Sequence, residues 1–451
     1  MTWRLAALVA FETVLILVAL GATVAVLWRS ADTTTLLLKI ALIAGVTQLC
    51  LYYADLYNVR SVADRRDLVL RLVQALGATS LVLAALYFVF PVLVIGPGVV
   101  IVAVVVMIAL LIGWRMAFGW AAGRVGRRER LLLIGTGPAT VALARELFER
   151  TELGVEIVGF IDPDPSRLGA PVLNPGVIGT LDHIPSIIAA RDVDRVVVSL
   201  ADARGKLPMD RLLEMKLDGG VRFDHLASVY EEYTGKIALE NLRPSWLIFS
   251  AGFRKGVLLQ AAKRGVDVVA ASIGLVLAAP LMLGAAIAIA LTSRGPIVYR
   301  QQRVGQHGAR FTLYKLRSMR ADAEAATGPV WASEQDERVT PVGGVLRRLR
   351  FDELPQLWNV LRGDMSLVGP RPERPEFVRD LSQQIPFYGQ RHVVKPGVTG
   401  WAQVQGDYSG SLDGTMEKLQ YDLFYIKNLS IALDLFIILS TVKTVLLRRG
   451  A

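Results

Sequence analysis

Apolar residues are concentrated in a few long runs, and this distribution restricts the chain to folds that associate with a membrane. Hydrophobic residues make up 53% of the sequence, and their excess lies mainly in 1–122, 267–292 and 428–447. About 20 helical residues are enough to cross a bilayer, so runs of this length are candidate membrane segments. The remainder has an ordinary globular composition, and 451 residues leave room for two or three domains.

Residues 1–122 are predicted to form a four-helix transmembrane bundle. Four apolar runs are found there, near 5–28, 35–54, 68–92 and 95–120. Arginines are concentrated after the second run and after the fourth, namely Arg60, Arg65, Arg66 and Arg71, and Arg124, Arg127, Arg128 and Arg130. Because cytoplasmic loops carry the excess of Arg and Lys, both ends of the bundle are expected in the cytoplasm. Ionisable residues are scarce in the runs, so we interpret the bundle as a membrane anchor without chemistry of its own.

The apolar run at about 266–291 differs from the others because both of its flanks are basic. Lys263 and Arg264 precede it, and Arg294 and Arg300 follow it. A simple span would be the ordinary interpretation, but it would place one basic flank outside the cytoplasm. We therefore predict a re-entrant helix that is kinked at Pro280 and returns to the same side.

The last apolar run, 428–447, is interrupted by Asp434 and Lys443. This pattern is typical of a helix that lies in the membrane interface rather than one that spans the bilayer.

Residues 128–245 have the alternating pattern of a Rossmann-like α/β domain. The buried strand at 131–134 leads into Gly135-Thr-Gly137, and strand-like runs follow at 155–161 and 193–200. Thr140 occupies the third position of the dinucleotide fingerprint, where a glycine is usual. Asp162 could contact a ribose hydroxyl, but Asp162-Pro-Asp-Pro also has the composition of a simple loop. Nucleotide binding and a regulatory or scaffolding role both stay open.

The formal net charge of +10 favours anionic partners such as phosphorylated substrates or a cytoplasmic leaflet. No nucleic-acid recognition motif accompanies this charge, so we expect no nucleic-acid partner. The single cysteine, Cys50, and four scattered histidines argue against a disulfide framework and against zinc or haem chemistry.

Candidate chemistry is densest in the last third, where Asp352-Glu353 follows a group of arginines at 347–350. Pro355 suits the first turn of a helix, and Gly363 stands where a glycine cap would end it. A helix start and neighbouring arginines would depress the pKa of Asp352, so its carboxylate could attack phosphorus. Glu353 could serve as a base toward a second acceptor. Taken alone, however, such a pair is usually a helix cap.

Three motifs in this region resemble the bacterial sugar transferases, the large monotopic polyprenyl-phosphate phosphoglycosyl transferases. They are Asp352-Glu-Leu-Pro-Gln-Leu-Trp-Asn, Gly363-Asp-Met-Ser-Leu-Val-Gly-Pro-Arg371-Pro and Lys395-Pro-Gly-Val-Thr-Gly-Trp. The resemblance covers 255–451, which we assign to the catalytic domain, and 1–245 looks like the N-terminal part of the large members. The segment from Lys418 to Lys427 is similar to members that serve exopolysaccharide assembly in bacteria with PEP-CTERM sorting systems.

The resemblance implies transfer of a hexose-1-phosphate from a nucleotide diphosphate sugar, expected to be a UDP-sugar, to undecaprenyl phosphate. It makes Asp352 the covalent nucleophile, assisted by Glu353, with Mg²⁺ bound by Asp352 and the donor diphosphate. The residues expected to bind substrate phosphates are Lys315, Arg317, Arg347, Arg371, Arg391 and Lys395. The family's re-entrant helix has a Ser-Pro hinge, whereas this chain has Ala279-Pro280. The implied location is the inner membrane of a bacterium, with the catalytic domain on its cytoplasmic face.

Two other functions stay open at this point. A glycosyl transferase that moves only the sugar would release a nucleoside diphosphate instead of a monophosphate. A membrane scaffold or sensor would bind nucleotide in the Rossmann-like domain without turnover. The sequence leaves the sugar unidentified, and a homodimer is a further hypothesis.

Overall fold

The structure is a computed structural model that describes most of the chain. The described residues are 3–27, 33–54, 56–57, 65–93, 102–117 except 104, 108 and 116, 128–150, 153–199, 209–217, 220–239, 252–253, 255–320, 322–323, 336–406 and 411–446. The chain divides into two compact units: 1–130 with 150–156, and 131–149 with 157–451.

The first unit contains long apolar helices. They are α1 (Trp3–Leu27), α2 (Thr33–Tyr53) and α3 (Arg65–Val89), and each contains a segment long and apolar enough to cross a membrane. The fourth predicted run is helical where it is described between 102 and 117, with a shorter apolar helix at Val105–Arg115. Buried side chains such as Ile16, Leu51 and Leu111 form the core between these helices. The prediction of a membrane protein is confirmed, although three rather than four long helices are described here.

A buried polar cluster inside this unit was missed by the sequence interpretation. Glu12 on α1 is completely buried, and its carboxylate accepts hydrogen bonds from Tyr57 at 2.6 Å and from Arg115 at 2.9 Å. The pairing reduces the large free-energy cost of a charge among apolar helices. It also joins the first half of α1, the segment after α2 and the end of the fourth run, which the positive-inside pattern assigns to one side.

The second unit begins with a parallel sheet. Its elements are β1 (Glu129–Ile134), α4 (Pro138–Glu149), β2 (Val155–Ile161), β3 (Val177–Gly179), α5 (Ile184–Arg191), β4 (Arg195–Val198), α6 (Met209–Leu217), β5 (Arg222–His225) and α7 (Leu226–Thr234). The strand order is β3-β2-β1-β4-β5, and the pairs β1–β4, β2–β3 and β4–β5 are parallel. Strand residues such as Leu132 and Val196 are fully buried, as expected for a sheet covered on both faces. The predicted α/β domain is confirmed.

Asp162 is engaged within the protein at the carboxyl end of β2. Its carboxylate accepts hydrogen bonds from the Thr136 hydroxyl in the glycine turn and from Arg167, the latter at 3.2 Å. The ribose contact suggested by the sequence would therefore compete with these internal bonds.

The fifth apolar run forms one continuous helix, α8 (Val257–Thr292), with Pro280 inside it. At 1.5 Å per residue, its 36 residues extend over about 54 Å, well beyond the thickness of a bilayer core. The re-entrant course with a kink at Pro280 is not confirmed. Both halves nevertheless pack on other elements of the second unit: Gly274 lies beside Leu357, and Ile289 is buried with Leu316 and Leu346.

The rest of the second unit surrounds a short hairpin and is mainly helical. Its elements are β6 (Val298–Val304), β7 (Arg310–Leu316), α9 (Pro341–Arg348), α10 (Gln356–Arg362), β8 (Ser366–Val368), α11 (Pro375–Gln384), β9 (Gly397–Thr399), α12 (Trp401–Gln405), α13 (Leu412–Asn428) and α14 (Ile431–Leu446). The hairpin β6–β7 is antiparallel. Asp434 on α14 points inward, where it pairs with Lys263 of α8 at 2.6 Å.

Helix α9 approaches the chain after β7 very closely at Gly343. A Cβ atom there would lie 1.9 Å from the Ser318 carbonyl oxygen, whereas at Gly344 the nearest atom would be 4.0 Å away. We expect Gly343→Ala to lower the free energy of unfolding by at least about 2 kcal/mol, because backbone must move. Gly344→Ala should raise it by about 0.5–1 kcal/mol through helix propensity. Melting temperatures of the two purified variants in detergent check this, and equal melting temperatures would contradict the close approach.

Candidate active site

The carboxylate pair lies on a short 3₁₀ turn between α9 and α10. Arg350 adopts a left-handed conformation with φ of 56°, which redirects the chain into the turn Phe351–Glu353. Helix α10 then begins at Gln356, directly after Pro355, and ends at Gly363 with φ of 91°. The glycine cap is confirmed. The pair itself precedes the helix on its own turn, whereas the sequence suggested the helix start.

Glu353 is held by three cations that come from three different parts of the fold. Its Oε1 atom lies 3.0 Å from Lys315 Nζ, 2.8 Å from Arg371 Nη2 and 3.8 Å from Arg350 Nη1. Burial alone would raise the pKa of Glu353, but Arg371, Lys315 and Arg350 hold it well below its usual range. A carboxylate of such low basicity is a poor proton acceptor, so the geometry favours an anchoring role over the predicted base.

Asp352 is as buried as Glu353 but is not held in the same way. It is 6% exposed, and among the described residues its Oδ1 atom has no hydrogen-bond partner. Burial raises the pKa of Asp352, opposed by Lys315 and Arg347. The expected depression of this pKa is therefore wrong, because desolvation outweighs the nearby cations. The result is a poorly solvated carboxylate oxygen available for a new bond or for a metal ion.

Cationic side chains line a small cleft beside the pair. Its lining includes Lys315 on β7, Arg303 on β6, Gln356 on α10 and Arg371 on the turn after β8. Arg303 and Gln356 were not predicted as site residues. Arg303 lies directly before the hairpin turn, and Gln356 follows the pair by three residues. The cleft combines positive charge with a nearby carboxylate, the arrangement required to bind and attack a phosphate.

Three other residues that were predicted to bind phosphate lie around the cleft and the carboxylate pair. Arg317 is 5% exposed and donates to Ser293 at the end of α8, while its Nε and Nη1 atoms have no partner among the described residues. Arg391 lies behind the Arg371 turn and binds Asp422. Lys395 lies near Gly363 at the far end of α10, so it is separated from the pair by that helix.

The described residues contain no cluster of three or more His, Cys, Asp or Glu side chains arranged for a metal ion. Mg²⁺ commonly needs only one or two protein carboxylates when substrate phosphates supply further oxygens. Asp352, whose buried Oδ1 atom has no partner among the described residues, fits this requirement. Glu353 does not, because three cations already surround its Oε1 atom.

Comparisons with known proteins match two parts of this chain. The family model for the bacterial sugar transferases matches 258–448, and a model for a CoA-binding domain matches 52–214. The UDP-glucose:undecaprenyl-phosphate glucose-1-phosphate transferase of Xanthomonas campestris pv. campestris is 33% identical over 334 residues, which are 72% of this chain and 68% of that protein.

Two further relatives differ in how much of this chain they match. The UDP-N-acetylgalactosamine-undecaprenyl-phosphate N-acetylgalactosaminephosphotransferase of Aeromonas hydrophila is 41% identical over 267 residues, 59% of this chain and 62% of that protein. The exopolysaccharide production protein PSS of Rhizobium leguminosarum bv. phaseoli is 38% identical over 192 residues, 41% of this chain and 96% of that protein.

The chain is a membrane protein with a carboxylate pair beside a cationic cleft, and its relatives are named as transferases. It is therefore an enzyme of the transferase class. The chain belongs to the bacterial sugar transferase family. The resemblance drawn from the three motifs is thereby confirmed.

Proposed function

We propose that this enzyme transfers a sugar-1-phosphate from a UDP-sugar to undecaprenyl phosphate through a phosphosugar intermediate on Asp352. The observation that carries the proposal is the asymmetry of the pair: Glu353 is held by cations, while a buried Asp352 oxygen has no partner in the described chain. The names of the relatives support the two substrates. The product would enter exopolysaccharide or related glycoconjugate synthesis in the bacterial inner membrane.

The reaction would proceed in two displacements at one phosphorus atom. A carboxylate oxygen of Asp352 attacks the phosphorus that carries the sugar, and the bond from that phosphorus to the bridging oxygen of the diphosphate breaks. The nucleoside monophosphate leaves with the bond electrons, and an acyl phosphate remains on Asp352. A phosphate oxygen of undecaprenyl phosphate then attacks the same phosphorus, the acyl–phosphate bond breaks and the Asp352 carboxylate is restored.

The surrounding residues would bind and neutralise the phosphates. Arg371, Lys315 and Arg303 line the cleft and would contact the donor diphosphate, with Glu353 keeping Arg371 and Lys315 in place. Mg²⁺ held by Asp352 and the diphosphate would add Lewis-acid stabilisation of the developing charge. Arg317, which bonds to Ser293 beside the end of α8, would contact the phosphate of the lipid through two nitrogens that have no partner among the described residues.

The direct test is a screen of UDP-sugars with the purified protein, Mg²⁺ and undecaprenyl phosphate. We expect UMP release with at least one sugar, dependent on the lipid phosphate for multiple turnovers. Release of UDP would indicate transfer of the sugar alone. Binding of nucleotide without either product would support the scaffold alternative.

We also propose that α8 enters and leaves the membrane on the cytoplasmic side, because both of its halves pack on the catalytic domain. In a variant without Cys50, a cysteine at Arg294 should react with an impermeant maleimide only after the cytoplasmic side is opened. A cysteine at Ser30, between the first two apolar runs, should react in intact spheroplasts and serves as the control. Labelling of Arg294→Cys in intact spheroplasts would mean that α8 spans the bilayer.

The charge of Lys315 should control the pH at which Asp352 becomes an active nucleophile. Burial raises the pKa of Asp352, and Lys315 opposes that rise, so Lys315→Met should raise this pKa further. Because attack needs the carboxylate, the acid limb of the kcat profile should move to higher pH. Arg310→Met, on an exposed residue of the same strand, should leave the limb in place. A limb that stays fixed in Lys315→Met would assign it to another group.

A further inference from the structure

A continuous series of buried and partly buried contacts connects helix α13 with the carboxylate pair. Asp422 on α13 is 2% exposed and lies 2.8 Å from Nη2 of Arg391. The same guanidinium nitrogen donates to the carbonyl oxygen of Arg371 at 3.1 Å. Arg371 Nη2 in turn donates to Glu353 Oε1 at 2.8 Å. Asp422 therefore reaches Glu353 through two arginines.

The geometry of Arg391 requires the forked guanidinium group. One nitrogen, Nη1, donates to the hydroxyl of Tyr388 at 2.6 Å, while Nη2 donates to the Arg371 carbonyl oxygen and forms an ion pair with Asp422. A lysine at this position has a single ammonium group, which could not reach the Tyr388 hydroxyl, the Arg371 carbonyl oxygen and Asp422 at the same time. Buried ion pairs often add little net stability, because desolvation offsets their attraction. We therefore expect the pair of Asp422 and Arg391 to affect the geometry of the Arg371 turn more than the free energy of unfolding.

The turn that carries Arg371 is also fixed at its neighbouring carbonyl groups. The Pro370 oxygen accepts a hydrogen bond from Gly397 N at 2.9 Å, and the Pro372 oxygen accepts one from Arg303 Nη1 at 3.0 Å. Arg391 supplies the bond between them, at Arg371 itself. Pro370 and Pro372 restrict the backbone angle φ on either side of Arg371. Together with these two prolines, the three hydrogen bonds fix the orientation of the turn.

We propose that Asp422 and Arg391 are positioning residues, which hold the Arg371 turn so that its guanidinium meets both Glu353 and the donor phosphates. The kinetic consequence rests on the proposed function. Misplacement of a catalytic group by about 1 Å can lower a rate by about 100-fold. Loss of the Asp422 charge should therefore act through Arg371, although Asp422 is not among the residues that line the cleft.

A double-mutant cycle between Asp422→Asn and Arg371→Ala tests this coupling. With the UDP-sugar found in the screen, Asp422→Asn should lower kcat/KM by about 10- to 100-fold in the wild-type background. In the Arg371→Ala background it should change kcat/KM by less than about twofold. An equal loss in both backgrounds, or no loss in the first, would overturn the proposal. Tyr388→Phe, which removes one acceptor of Arg391, gives a second cycle if Asp422→Asn fails to fold.

The matched control is Glu417→Gln on the same helix. Glu417 pairs with Lys236 at 2.7 Å, so this variant also removes an ion pair from α13. Its kcat/KM should stay within about twofold of the wild type, since residues without shared partners act independently. A loss as large as that of Asp422→Asn would attribute the effect to the helix in general.

Hydrogen exchange provides a readout that needs no turnover. The amides of Ser366 and Gly369 bond to Pro396 and Thr399 just before the turn. Asp422→Asn should speed exchange in the peptide 366–373 at least about fivefold, and Glu417→Gln should not. If the wild type releases no nucleotide from any UDP-sugar, the proposed function fails. Hydrogen exchange alone then tests whether Asp422 positions the Arg371 turn. Unchanged exchange in Asp422→Asn would then overturn the positioning role.

Discussion

Asp352→Asn should reduce nucleoside monophosphate release by at least about 10³-fold, the scale of loss when a covalent nucleophile is removed. The amide lacks the negative charge needed for attack on phosphorus and cannot form the acyl phosphate. Because Asp352 is buried and its Oδ1 atom lacks a partner in the described chain, the substitution should disturb packing little. The measurement is UMP release with the UDP-sugar and undecaprenyl phosphate at saturating concentrations. Mass spectrometry should also find no phosphosugar adduct on the variant.

Asp364→Asn is the matched control for this experiment. Asp364 directly follows the cap of α10 and accepts a hydrogen bond from Asn359 at 3.3 Å, at the opposite end of the helix from the pair. Its activity should stay within about threefold of the wild type, as for substitutions away from a reacting group. Undiminished turnover by Asp352→Asn would remove Asp352 from the mechanism and favour direct transfer between the two substrates.

Arg371→Ala should lower kcat/KM by about 10²- to 10³-fold, comparable with the loss of one charge-stabilising donor in other active sites. Two effects combine in this variant. A guanidinium is lost from the cleft, and Glu353 loses the partner that lowers its pKa most strongly. Arg371→Lys should recover only part of the loss, because an ammonium group cannot bind two oxygens in the forked geometry. Steady-state kinetics with varied UDP-sugar measures both variants.

The control for Arg371 is Arg379→Ala on helix α11. Its side chain is 72% exposed and pairs only loosely with Asp380, at 3.4 Å, so kinetics should be unchanged. If Arg371→Ala retained wild-type kcat/KM, the cleft would not be the donor site. The coupling expected for Asp422 would then lose its kinetic basis as well.

The motifs around Asp352 were sufficient to identify the family, because their long, ordered spacing leaves few alternatives. Apolar runs predicted α1 to α3, and strand–helix alternation predicted the parallel sheet. The Gly363 cap could be read from sequence since only glycine adopts its backbone angles easily. The roles of the individual cations could not be obtained this way. Arg391 and Lys395 are basic residues in the same motif-rich part of the sequence as Arg371, but they lie behind the turn and across α10.

Sequence alone determined that this chain enters a membrane, contains an α/β domain and carries Asp352-Glu353 in a basic frame, because hydropathy, periodicity and motif spacing are local properties. Tertiary structure decided how the two carboxylates differ. Lys315, Arg350 and Arg371 converge on Glu353 from separate elements, while Asp352 is left desolvated. Charge interactions depend on distance and burial, which only the folded chain defines. The same reason explains why the pairing of Asp422 with Arg391, and of Glu12 with Arg115, was visible only in the structure.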